Sequence, residues 1–146
     1  YIYMFYSFKE LYFNNQLFLI IKFKNKPIED YSFKLFLSLW NFYCFQEKPI
    51  QFIFDIRKFQ QIPSLSYCLS MAHFLYTIKN KQHNLIQSII LYQKDILKYL
   101  LDFIFYIQKP IAPVYLYKTD QQLKDIFKIL PFTKANLLKN MNYISP

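Results

Sequence analysis

Residues 50–117 read IQFIFDIRKFQQIPSLSYCLSMAHFLYTIKNKQHNLIQSIILYQKDILKYLLDFIFYIQKPIAPVYLY, and this stretch decides the fold. Three short apolar runs (IQFIFDI from Ile50, LIQSIILY from Leu85, IAPVYLY from Ile111) alternate with PSLSYCLSMAHFLYTIKN and KDILKYLLDFIFYIQ. Strand-length apolar runs separated by longer runs of helical period predict β-α-β units around a mostly parallel sheet. Ile50 to Ile56 is apolar on both alternating sets apart from Gln51 and Asp55, as expected of a central strand covered on both faces. Pro63 suits the entry to a helix starting near Ser64, with Leu65, Cys68, Ala72, Leu75 and Ile78 as its buried stripe. A second buried strand is predicted over 86–92. The helix after it, about 95–108, is expected to turn Ile96, Leu97, Leu100, Phe103, Ile104 and Ile107 inward and Lys94, Lys98 and Asp102 outward. Pro110 ends that helix. Pro113 cannot donate to a ladder, so the strand around it lies at an edge or begins late.

Working outward, residues 3–24 predict a hairpin. YMFYSFKELYF and QLFLIIKF are rich in β-formers, and Asn14-Asn15 between them serves as the turn. The chain has no Gly, so asparagine takes the positive-φ positions. Pro27 ends the second strand, and Glu29 and Asp30 suit a first helical turn. Phe33, Phe36, Leu37, Trp40, Tyr43 and Cys44 then recur at helical spacing, predicting a helix of about 29–46 with one aromatic face. At the far end, Thr119 with Gln122 reads as a capping box. Leu123, Ile126, Phe127 and Leu130 follow it as a short helix stopped by Pro131, and residues 131–146 form a tail. The expectation is one α/β domain over 1–146, core about 17–130, with a mixed sheet. Its order is an N-terminal β-hairpin, then a helix, then β-α-β-α-β-α.

Composition bounds the function classes. Hydrophobic residues make up 54% of the 146 and charged residues 18%, which favours a packed core over disorder. Phe is 17, Tyr is 14, and Arg57 is the one arginine among 18 Lys+Arg, a bias that follows A/T-rich codons and so points to an organelle or a large DNA virus. The same bias supplies lysines without any partner. They are scattered, and the net charge of +9 reads as a solvated surface rather than a nucleic-acid patch. Cys44 and Cys68, widely spaced in apolar runs, read as buried thiols of a reducing compartment. With His73 and His83 they make no zinc spacing. No run reaches the ~18 apolar residues of a membrane span, so an intracellular chain of host cytoplasm or organelle is expected. The chain opens on YIYMFYSFKE with neither initiator Met nor basic leader, from which a fragment or processed chain is expected.

The order hairpin, helix, strand, helix, strand, helix, strand, helix resembles the SpoIIAA-like fold shared by STAS and CRAL-TRIO domains. The likeness covers about Leu17 to Leu130. FIFDIRKF looks like their apolar strand ending in an acid, here Asp55, and LIQSIILYQKDILKYLLDFIFYIQKPIAPVYLY is similar to their next strand–helix–strand unit. YCLSMAHFLYTIK and FIFYIQKPIAPVYL are similar, more loosely, to uncharacterised proteins of large DNA viruses infecting algae and protists. The resemblance to STAS antagonists implies a phosphorylatable serine where they carry Asp-Ser-Ser-Gly. Here those positions read Ile62-Pro63-Ser64-Leu65, and only Ser64 matches. The resemblance to CRAL-TRIO domains implies lipid binding, but the chain is short for a deep lipid pocket.

No arrangement of residues in the sequence supplies a catalytic, cofactor or metal site. His73 lies mid-helix between Ala72 and Phe74 and reads as a packed core histidine, while His83 in a polar loop reads as solvated. A phosphate-cradling loop needs glycine. Asp55 stands where open α/β sheets place ligand groups, yet a structural pair with Arg57 is the expected use. The expected function is therefore a non-enzymatic, STAS-like protein-interaction module working without a cofactor. It would bind a protein through a helix face or the Phe59–Ser66 loop, with Asp55, Arg57, Ser64 and Ser66 as the candidate interaction residues. Two alternatives stand beside it: a peripheral lipid- or anionic membrane-surface binder, and a subunit of a viral or organellar assembly. Nucleic acid is the less expected partner.

Overall fold

The computed structural model of the chain describes residues 4–131 and 141–146. Six strands form one sheet in the order β1 (Tyr6–Phe13), β2 (Gln16–Phe23), β3 (Ile50–Asp55), β4 (Leu85–Tyr92), β5 (Val114–Lys118), β6 (Met141–Ile144). β2 to β5 run parallel, and an antiparallel strand closes each edge. Four helices alternate with them: α1 (Asp30–Cys44), α2 (Leu65–Ile78), α3 (Asp95–Ile107) and α4 (Leu123–Lys128). The mixed α/β sheet opening on a hairpin is the architecture expected from the sequence.

The hairpin closes where asparagine permits it. Asn14 and Asn15 have φ of 50° and 62°, the pair of left-handed residues that a tight two-residue turn requires. Asn tolerates this region because its short polar side chain bonds locally.

Each parallel strand is added on the same side of the previous one. A strand–helix–strand crossover is almost always right-handed, so such an order stacks successive helices on a single face. The core follows that rule. Phe33, Phe36, Trp40 and Tyr43 of α1, Cys68 and Leu75 of α2, and Leu97 and Ile104 of α3 pack on Leu19, Ile21, Phe52, Phe54, Ile90 and Leu116. The opposite face buries Phe18, Ile20, Ile53, Ile89, Leu91, Tyr115 and Tyr117 with Ile126 and Phe127 of α4. α4 reaches that face because β5 and β6 are antiparallel, and the crossover rule does not govern the link between them.

Of the two readings of Pro113 the late start holds: β5 begins at Val114 as an interior strand, and the Pro113 carbonyl accepts from Ser88 N–H at 2.9 Å. Three sequence readings are corrected. Thr119 does not cap α4. The N-cap is Gln122, and the Thr119 hydroxyl instead accepts from Gln121 N–H at 3.0 Å. Leu65 is exposed rather than part of the α2 stripe. The tail supplies strand β6, and its residues 132–140 lie outside the described residues.

α3 departs most. Leu97 and Ile104 are buried, as expected, but Ile96, Phe103 and Ile107 point outward. The helix has a polar arc of Asp95, Lys98 and Asp102, and it exposes beside that arc the apolar residues Ile96, Tyr99, Phe103, Tyr106 and Ile107.

Candidate functional site

Three regions could carry a function: the carboxyl tips of the central strands, the outer faces of the helices, and the space between sheet and helices.

At the tips, β3 delivers Asp55 beside Lys22 of β2 and Leu91 of β4. The chain turns at once, and Arg57 folds back on the acid. Arg57 Nε donates to Asp55 Oδ1 at 2.8 Å and Nη2 to Oδ2 at 2.9 Å, a two-pronged pair in which both side chains are largely buried. Arg57 N–H adds a bond to Oδ1 at 3.3 Å, and Nη1 donates to the carbonyl of Gln121. Burial opposes ionisation of Asp55, but the hydrogen bonds and charge of Arg57, backed by Lys22, outweigh it and hold the carboxyl below its ordinary range. An acid held in this way tethers the strand tip to the loop before α4. Three hydrogen bonds from Arg57 take up most of its acceptor capacity, and with a lowered pKa it makes a poor general base at neutral pH.

The Phe59–Ser66 loop is fastened to the turn after β2. Asn25 Oδ1 accepts from Gln60 N–H at 3.2 Å and from Gln61 Nε2 at 3.0 Å. Ser64 is the N-cap of α2, its hydroxyl accepting from Tyr67 N–H at 3.4 Å. Ser66 is exposed and lies in a groove between α1 and α2 with Leu69 and His73. Asp55 and Arg57 thus form one cluster, and the two serines belong to the start of α2.

His73 is exposed on α2, against the expectation of a packed histidine. His83 is half-buried rather than solvated. Its Nε2 lies 3.1 Å from the carbonyl oxygen of Ile111, and its Nδ1 accepts from Leu85 N–H at 3.2 Å, which ties two loops together. Cys44 and Cys68 are buried and unbridged. Burial pushes the Cys44 thiol up to about 12, which leaves almost no thiolate at neutral pH. Among the described residues no three of His, Cys, Asp and Glu come together as a metal would need, and no helix is long and apolar enough to cross a membrane.

The outer face of α3 carries Ile96, Tyr99, Phe103, Tyr106 and Ile107 in one stripe, at steps of three and four residues. Tyr106 is 89% exposed and Tyr99 61%. Contiguous apolar surface of this sort is uncommon on a face that meets only water. Charges rim it in pairs: Lys98 with Asp102 at 2.7 Å and Lys118 with Asp95 at 2.9 Å. The sequence showed these apolar residues, but nothing in their spacing told which would face solvent.

On the other side of α3 lies a cavity of about 140 Å³, roofed by α1, α2 and α3 and floored by the sheet. Its walls include Phe36, Trp40, Phe54, Leu75, Leu101 and Ala112 and no charged residue. An unfilled apolar volume of this size costs on the order of 3 kcal/mol. Trp40 is 7% exposed, and its indole N–H has no hydrogen-bond partner.

No family model matches this chain, and no curated protein or solved structure matches it.

Proposed function

We propose that the chain is a non-enzymatic, STAS-like protein-interaction module that docks its partner through the outer face of α3. The observation that carries this reading is the stripe Ile96, Tyr99, Phe103, Tyr106, Ile107 held out on a helix whose inner face anchors it to the core. Tyrosine and other aromatics surrounded by polar groups are the make-up of a docking surface, with an apolar centre and a wet rim. The order of strands and helices supports the STAS-like kinship, and the saturated Asp55–Arg57 pair fits a strand tip used for structure. The unbridged thiols suit a reducing, intracellular setting, whether cytoplasm or organelle of the host.

A protein suits this stripe better than an anionic membrane. Surface binding to anionic lipid needs cations free to meet headgroups. Here Lys98 and Lys118 are each matched by an acid beside the stripe.

The test compares wild type with the double variant Phe103→Asp/Tyr106→Asp in capture from a lysate of the native host, after circular dichroism has shown both folded. A protein retained by wild type and lost with the variant is the expected result, and equal capture by both would overturn the docking face. Salt-sensitive flotation with phosphatidylserine vesicles would move the assignment to a membrane surface. A turnover abolished by Asp55→Asn would make the chain an enzyme.

A further inference from the structure

We propose that the cavity beneath α1, α2 and α3 is a binding site for one small hydrocarbon without a polar group, about the size of benzene. The cavity measures about 140 Å³, none of its wall residues is charged, and none is exposed. Water is a poor occupant of such a space. A buried water makes about three hydrogen bonds, and a dry apolar cavity of roughly 150 Å³ takes up benzene or xenon instead. The polar side chains in this wall are few: Tyr67, Cys68 and Ser88, and the Tyr67 hydroxyl already donates to Asp30 Oδ1 at 2.7 Å. The Trp40 ring stands in the wall, but its indole nitrogen is enclosed and offers a guest nothing.

The walls also define what is refused and what fits. No lysine, arginine or histidine lines the cavity, so a carboxylate would enter without a counter-charge. The aromatic part of the wall suits a ring. Phe23 meets Phe5, Phe36 and Phe59 edge to face, with centroids 5.3, 5.7 and 5.3 Å apart, and a benzene-sized guest extends that pattern. Nor does the chain lack apolar side chains with which to close the space. α3 exposes Ile96, Phe103 and Ile107 on its outside, while the small residues Ser88 and Ala112 line the cavity on its inside. An unfilled volume costs stability, and a guest restores the missing contacts. This inference does not depend on the docking role of α3, whose outer face takes no part in it.

The probes are benzene and benzoate, each added to the purified chain at neutral pH, with binding followed by thermal unfolding and calorimetry. Trp40 is the only tryptophan in the chain, so its emission gives a third reading from the cavity wall. Benzene is expected to saturate at one molecule per chain, to shift the Trp40 emission, and to raise the melting temperature further as its concentration rises. Benzoate, the same ring with a charge, should bind at least about a hundredfold more weakly. Ala112→Leu and Ser88→Leu each enlarge a wall residue and should weaken benzene binding by about tenfold or more. Should neither variant fold, the wild-type titrations decide by themselves. No response of wild type to benzene, uptake that does not saturate at one molecule per chain, benzoate binding as tight as that of benzene, or full benzene affinity in every enlarged variant that folds would each overturn the assignment.

Discussion

α1 and α3 lie on the same face of the same sheet, and they use their apolar residues in opposite ways. α1 gathers Phe33, Phe36, Trp40, Tyr43 and Cys44 on one buried stripe and leaves Lys34, Ser38 and Asn41 outside. α3 buries Leu97 and Ile104 and still has Ile96, Tyr99, Phe103, Tyr106 and Ile107 to spare. The first helix leaves only Tyr31 and Phe42, near its two ends, as large exposed apolar side chains, whereas the second exposes five along one stripe. An element is informative about function where its apolar surface exceeds what the core consumes.

This contrast can be broken or sharpened by substitution, starting with the largest effect. Trp40→Ala on the inner face of α1 should cost about 4 kcal/mol, since it strips the ring contacts to Phe52 and Phe54 and enlarges an existing cavity. Urea unfolding measures it, and a loss under about 1 kcal/mol would mean that α1 is not the committed helix of the pair.

The ion pairs repeat the contrast at smaller scale. Asp55→Asn, at the end of the strand that α1 leads into, leaves Arg57 without its buried partner and should cost about 2 kcal/mol at neutral pH. Asp95→Asn, in the exposed pair that joins α3 to β5, should cost well under about 1 kcal/mol. Acid titration separates them further. In the folded chain Asp55 stays ionised below the ordinary range, so the unfolded chain takes up its proton first as the pH falls through about 4. Wild type therefore loses this increment of stability on acidification towards the depressed value, and Asp55→Asn has none to lose. Parallel stability-versus-pH curves would contradict the assignment.

The caps differ too. α1 begins with a reciprocal arrangement in which Glu29 N–H donates to the Ser32 hydroxyl at 3.3 Å and the Glu29 side chain accepts from the backbone at Ser32. α3 begins at Lys94, extended at φ −92° and ψ 125°, with no side-chain cap. Ser32→Ala should lower stability by about 1 kcal/mol, and Lys94→Ser should raise it by up to about 1 kcal/mol, both read as shifts in the urea midpoint.

Smallest of all, Tyr106→Ser should move stability by no more than about 0.5 kcal/mol, because that side chain is 89% exposed. A larger loss in thermal unfolding would show that the outer face of α3 is consumed within the fold after all.

Legibility in the sequence followed the range of the interaction. The Asn14-Asn15 turn, the aromatic face of α1, the N-cap Ser64 and the strand ending in Asp55 were all readable, as was the pairing of Asp55 with Arg57 two residues on. Each depends on neighbours within a turn or a strand. β6 was missed because four residues of edge strand carry little periodic signal and gain their place only by pairing with β5. The cavity was missed because it is a deficit among side chains from three helices and four strands, and no local window contains that sum.

The amino-acid sequence by itself determined the four helices, the strands other than β6, and their order, because propensity, periodicity and capping act over a few residues. Only the tertiary structure decided the rotation of α3, the passage of α4 to the far face, the exposed stripe and the unfilled volume beside Trp40. Those outcomes come from fitting whole surfaces together, and no helix carries in its own pattern the neighbours that it must fit.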